Sequence, residues 1–198
     1  MTLPRGYLSF NSMNTWMKSK DQFRQTYYFG KPFRANQEMV FGSEIGRILE
    51  NNPENPRVKD IPKYMVPELR FDKEVDGVPI MGYIDSYDPV GNAILEYKTS
   101  YKPWTRIMVQ KLGQLDFYCV AMNATETDLC WIQTKRTPMT KEFGSTIYMS
   151  DDYTLEMTGH IEMFHRTITE VDKDHMRKQI VRVANEISED YQNYLNNI

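Results

Sequence analysis

Apolar positions along the chain follow two periods, and the switch between them predicts its elements. Met13, Trp16, Met17, Phe23 and Tyr27 recur at helical spacing. Asn11 or Ser12 is the expected N-cap of this first helix, and Gly30 and Pro32 its stop. A second helix is expected from Gln37 to Asn51, broken by the run Asn52-Pro53-Glu54-Asn55-Pro56, with an irregular connection to Pro67. The period then falls to two. Glu68–Val75 and Val78–Tyr87 read as a hairpin turned at Asp76-Gly77, and Ala93–Lys98 as a third strand after the turn Asp88-Pro89-Val90-Gly91. A helical pattern returns from about Trp104 to Met122, followed by a fourth central strand, Thr127–Thr134, and strands near Thr146–Met149 and His160–Ile168. The last helix begins near Asp172. Its stripe of Met176, Ile180, Val183, Ile187, Tyr191 and Tyr194 packs on the sheet or, alternatively, forms a dimerisation face. Strands interleaved with helices predict an α/β fold with a mixed central β-sheet flanked by helices, in a single domain spanning residues 1–198.

Composition narrows the class. A chain of 198 residues can bury one proper core. The net charge of −3 does not announce nucleic-acid binding, so any such role must rest on local patterning. Two cysteines, Cys119 and Cys130, are too few for a disulfide framework or an iron–sulfur cluster, and read as core thiols of a reducing compartment. His160, His165 and His175 lack zinc-ligand spacing. Neither a secretory signal nor a membrane span is expected. No Gly-x-x-x-x-Gly-Lys-[Ser/Thr] loop occurs, so a motor function by that route is excluded.

The chemistry concentrates between residues 82 and 118. With Asp88–Gly91 as the turn, Tyr87 pairs with Asn92 and Asp85 lies opposite Ile94, so that Asp85 shares a face with Glu96 and Lys98. Glu96 is then a diagonal neighbour of Asp85, about 7–8 Å away at the backbone. Two carboxylates so placed, with a backbone carbonyl assigned to Tyr97, suit Mg²⁺ or Mn²⁺, which prefer hard oxygen donors. Lys98 beside them can orient a water or stabilise charge on a phosphate. An ordinary amphipathic hairpin with a charged face is the bland alternative. Gln114 and Tyr118, at i and i+4, point the same way from the following helix. The run from Tyr97 to Gly113 carries Lys98, Lys102, Arg106 and Lys111 and no acidic residue, which suits a polyanion. Lys102, Arg106 and Lys111 are the candidate phosphate contacts. Tyr101 and Trp104 either stack on bases or turn into the core, and the core is favoured.

Gly82-x-x-Asp85, Glu96-x-Lys98-Thr99 and Gln114-x-x-x-Tyr118 together resemble the RecB-type, phage-exonuclease branch of the PD-(D/E)XK nuclease superfamily. The resemblance extends more loosely to Gly42-Ser-Glu-Ile-Gly46-Arg-Ile-Leu-Glu50 and to the opening stretch Ser9–Trp16. It implies a restriction-endonuclease-like core and a DNA nuclease, in the form of an exonuclease of recombination, repair or phage DNA processing. Asp85 and Glu96 would be the metal ligands, Lys98 the catalytic lysine, and Gln114 and Tyr118 would support the site. Many relatives have a metal-binding histidine where this chain has Gly46; Glu50, or less readily Glu44, is the candidate replacement. The proline of the family's name is also missing, with Ile84 before Asp85. The resemblance further implies a cytoplasmic protein of a bacterium or phage-infected host, with either homo-oligomerisation or a separate recombination or helicase partner for processive work. A nuclease-fold protein that binds nucleic acid or a partner without cutting is the competing expectation, supported by Gly46.

Overall fold

The computed structural model describes the backbone of residues 1–143 and 146–197 and the side chains of residues 1–139 and 153–197. Among them, helices α1 (Phe10–Lys18), α2 (Lys20–Tyr27) and α3 (Gln37–Asn51) precede strands β1 (Val66–Val75), β2 (Val78–Asp88) and β3 (Ala93–Ser100). Helices α4 (Arg106–Gln110) and α5 (Gly113–Met122), strands β4 (Glu126–Phe143) and β5 (Thr146–Thr167), and helix α6 (Glu170–Leu195) follow. The described strands form one mixed sheet in the order β1-β2-β3-β4-β5. Only β3 and β4 are parallel within it, and the crossover between them carries α4 and α5.

Buried residues alternate sides along the two central strands. Ile94, Leu129 and Trp131 join Met13, Leu115, Phe117 and Ile180 of α1, α5 and α6 in one core. Leu95, Cys130 and Ile132 join Phe41, Ile45 and Leu49 of α3 and Val58 and Ile61 of the connection in the other. Burial on both faces is why these strands read as near-continuous apolar runs. Cys119 and Cys130 are free and buried. On α6, Met176, Ile180, Val183 and Ile187 are buried, which makes that stripe a packing face. Among the described residues no helix is long and apolar enough to cross a membrane.

Three expected elements differ. The first helix is two, because Ser19 is extended (φ −160°) and its hydroxyl accepts from the Gln22 amide, capping a new start; the cap of α1 is Ser9. The stretch from Trp104 to Met122 is also two helices. α4 leaves Ile107 and Met108 exposed, whereas α5 is buried along Leu115, Phe117, Tyr118, Cys119 and Val120. The chain changes direction at Lys111–Leu112, and Gly113 then lies beside Phe10 and Met176. Finally, the strands expected at Thr146–Met149 and His160–Ile168 belong to one long β5. β3 accompanies β4 only to Ser100↔Gln133, and from Thr134 onward β4 and β5 continue as a two-stranded ribbon. Its register shifts near Pro138, which has no amide to give the ladder.

A buried ion pair helps tie the crossover to the sheet. Arg166 of β5, 5% exposed, meets Asp116 of α5 at 2.6 Å. Removing one partner of a buried pair leaves the other charge uncompensated. Asp172, 4.0 Å from the same guanidinium, still compensates it in part, so Asp116→Ala is expected to cost ~1–3 kcal/mol in denaturant unfolding, and no measurable loss would remove the pair from the stabilising set.

Candidate active site

The site forms where the sheet forks. β1 pairs with β2 almost end to end, through Val75↔Val78 at the Asp76-Gly77 turn, where both turn residues have positive φ (49° and 80°). β2 pairs with β3 only at Ser86↔Leu95, Tyr87↔Ile94 and Asp88↔Ala93. The turn is thus residues 89–92 rather than 88–91. The Asp88 carboxylate accepts from the Val90 and Gly91 amides (3.0 and 3.1 Å), and Asn92 takes a left-handed φ of 46°. The register therefore differs from expectation: Asp85 stands across from Glu96 instead of Ile94. The even-length turn preserved the parity, so Asp85 and Glu96 still converge. Past Ser86 the two strands part, and the Asp85 carboxylate replaces the ladder by accepting from the Tyr97 amide at 2.8 Å.

Between the parted strands and α3 lies a groove of about 770 Å³. Asp85, Glu96, Tyr97 and Lys98 line it from the sheet, and Gly42, Gly46 and Glu50 from α3. Gly46 has nothing within 4 Å of where a Cβ would stand, so a side chain at this position would meet open space. Glu50 reaches the groove wall, whereas Glu44 is paired with Arg57 at 2.6 Å and does not line it.

Glu96 is the most constrained group. It is 2% exposed; its Oε1 accepts from Lys98 Nζ at 2.5 Å, and its Oε2 is buried with no partner. Burial pushes its carboxyl up to about 7; Lys98 opposes that shift and Asp85 adds to it. Burial likewise raises Asp85, against the Tyr97 amide and Lys98. For Lys98, burial acts downward, yet Glu96 and Asp85 outweigh it and hold the ammonium above its usual range. Lys98 also donates to Gln114 Oε1 at 2.9 Å, and Gln114 Nε2 donates to the Tyr118 hydroxyl at 2.8 Å. Gln114 and Tyr118 thus stand behind Lys98 and do not line the groove. Lys98, Gln114 and Tyr118 form one hydrogen-bonded chain.

The expected nucleic-acid contacts lie apart from this centre. Lys102, Arg106 and Lys111 are exposed on the segment after β3, and none lines the groove. Trp104 packs on the core, but Tyr101 remains 39% exposed, with Arg136 of the ribbon 4.1 Å over its ring. Arg136 and Tyr153 both bind Glu38 at the start of α3, so the ribbon is tied to the end of the groove.

One residue at the site escaped the motif reading. Glu68 of β1 lines the groove, and burial together with the Asp85 and Glu50 carboxylates raises its carboxyl. A signal was present: a two-residue Asp76-Gly77 turn pairs Val75 with Val78, and counting outward brings Glu68 to Asp85.

Among the described residues, no three His, Cys, Asp or Glu side chains already close around an ion position. The donors nonetheless fit a hard divalent cation. Glu96 Oε2 is an orphaned buried acceptor, and beside Glu38, which is paired with Arg136, four more carboxylates share the groove wall with two cations, Arg47 and Lys98. Because Glu96 retains a proton below about 7, a cation must displace it there. Mn²⁺ affinity is expected to be level above that pH and to fall about tenfold per unit below it. Calorimetric titration across that range checks this, and a flat profile would detach Glu96 from the cation.

Fold and site together define a class: a mixed-sheet α/β fold whose forked sheet brings an Asp, a Glu and a Lys to one groove. A solved structure agrees at the level of fold. A phage-related exonuclease from Haemophilus somnus 129PT superposes with a TM-score of 0.58 at 14% identity, over 96% of this chain and 86% of that one. LHK-Exo, solved in complex with dAMP, aligns over 98% of this chain and 93% of its own with a TM-score of 0.47 and 16% identity. No family model matches the chain, and no curated protein matches it in sequence.

Proposed function

We propose that this protein is a Mg²⁺- or Mn²⁺-dependent deoxyribonuclease that hydrolyses phosphodiester bonds, acting as an exonuclease in recombination, repair or phage DNA processing. The observation that carries the reading is Glu96: a buried carboxylate with one oxygen on Lys98 and the other without a partner, beside Asp85 in an open groove. Asp85, Glu96 and the Tyr97 carbonyl would hold the cation, with Glu50 closing the site from α3. The cation, when bound, would acidify water and neutralise charge on the phosphate. Lys98, which lines the groove, has one proton left after Glu96 and Gln114, with which it can orient a water or meet a developing oxyanion. Gln114 and Tyr118 fix the lysine's direction. This division of labour makes Gln114 a positioning residue.

Incubation with end-labelled linear and covalently closed circular DNA, with and without Mg²⁺ or Mn²⁺, tests the reading. An exonuclease releases nucleotides from the linear substrate only. A lack of cleavage with retained DNA binding would favour the second reading, a nuclease-fold binding protein, for which the open position at Gly46 speaks. Either a second copy of the chain or a separate motor would supply processivity.

Lys102 and Arg106, exposed outside the groove, are proposed as phosphate-binding residues. Neutralising one such side chain lowers the slope of log affinity against log salt by roughly 0.7–0.9. Lys102→Ala with Arg106→Ala should flatten that slope and leave Mn²⁺ affinity unchanged. Wild-type salt dependence in the double variant would assign the basic run to solvent.

A further inference from the structure

We propose that Glu68 is a further cation-holding residue of the groove, completing with Asp85 and Glu96 a row of three carboxylates across the fork of the sheet, its ligand being Mg²⁺ or Mn²⁺. The inference rests on the nuclease reading above and adds a residue that lies outside all the motifs. It begins from register. Pro67↔Ser86 and Leu69↔Ile84 flank Glu68, which sets it across from Asp85, and Ser86↔Leu95 sets Asp85 across from Glu96 in turn. Cross-strand neighbours stand about 4.5–5.5 Å apart at Cβ, so a cation would have to draw together carboxylates that do not yet close around an ion position.

The backbone at Glu68 is unusual. Its φ is +46° inside a strand that is otherwise paired on both sides of it. A glutamate is rarely found there, and such a conformation persists only where its surroundings impose it. Of the charged side chains on the same groove wall, Glu38, Glu50, Asp85 and Glu96 are acids and Arg47 and Lys98 are bases. Glu68 is an exposed residue in an unfavourable conformation, with its side chain on a groove wall where acids outnumber bases. The independent pointer to a ligand is Glu96 Oε2, buried on a residue 2% exposed, lining the same groove and without a partner. A hard divalent cation satisfies that oxygen and offsets the repulsion along the row, and neutral imidazole is not needed for it. The empty space at Gly46 is consistent with an all-oxygen donor set.

Calorimetric titration of the full chain with Mn²⁺ tests this, comparing wild type, Asp85→Asn, Glu68→Gln and Glu68→Gly, each checked by circular dichroism. Glu68→Gln is expected to weaken Mn²⁺ binding by about tenfold or more. Glu68→Gly relieves the positive φ as well. It should melt higher than Glu68→Gln without cation while binding Mn²⁺ as weakly, which separates the carboxylate's role from the backbone's. If wild type binds Mn²⁺, Asp85→Asn does not, and both Glu68 variants bind like wild type, the assignment of Glu68 falls and the nuclease reading stands. If wild type itself takes up no Mn²⁺, the reading of the groove as a cation site falls, and Glu68 with it.

Discussion

Asp85→Asn and Glu96→Gln are each expected to abolish metal-dependent cleavage and to weaken Mn²⁺ binding by more than ~100-fold, beyond the usual cost of removing an outer-shell partner. Both keep the local fold. Asparagine retains an acceptor for the Tyr97 amide, and glutamine retains one for Lys98. Glu96→Gln has a second signature, in stability. Burial raises the Glu96 carboxyl in the fold to about 7, so between the ordinary carboxylate range and that value the folded chain holds a proton the unfolded chain has released. Stability arising at Glu96 is then greatest at low pH and is lost as pH rises through about 7. Without cation, Glu96→Gln should consequently melt at or above the wild-type temperature at pH ~8, where the charge it removes is most costly. A variant inactive, fully folded and still binding Mn²⁺ like wild type would separate Glu96 from the cation.

Lys98→Met should lower turnover by ~10² or more while Mn²⁺ binding survives or tightens. Methionine preserves most of the length of the stem and removes the ammonium that competes with a cation for Glu96 Oε1. Gln114 then has no ammonium to orient, so Gln114→Ala is expected to act in the same direction with a smaller effect, through the orientation of Lys98. Single-turnover rates at saturating Mn²⁺ measure both. Wild-type rates in Lys98→Met would remove the lysine from the chemistry and leave its ion pair with Glu96 as a purely structural feature.

Much of the site was legible because its members are local in the chain. Asp85, Glu96 and Lys98 lie on adjacent strands, and period two with an even turn brings them together even when the register is misjudged, as the shift from Ile94 to Glu96 demonstrates. Gln114 and Tyr118 were paired by helical spacing, but their partner was not readable. That they hold Lys98 from behind depends on how α5 crosses β3. Ser19 concealed a second cap inside a continuous apolar stripe, and Lys111–Leu112 a change of direction, since periodicity registers which face is apolar and not whether the axis bends.

The amino-acid sequence by itself determined the alternation of strands and helices, the buried central strands, and the convergence of two carboxylates and a lysine, because each follows from side-chain periods and short turns. Tertiary structure alone decided that β2 and β3 part after Ser86, and that α3 stands over the opening. It alone left Glu96 Oε2 buried without a partner, and Lys102, Arg106 and Lys111 outside the groove. These depend on sheet twist and on packing between segments distant in the chain, where burial and electrostatic environment are set by neighbours that no local pattern encodes.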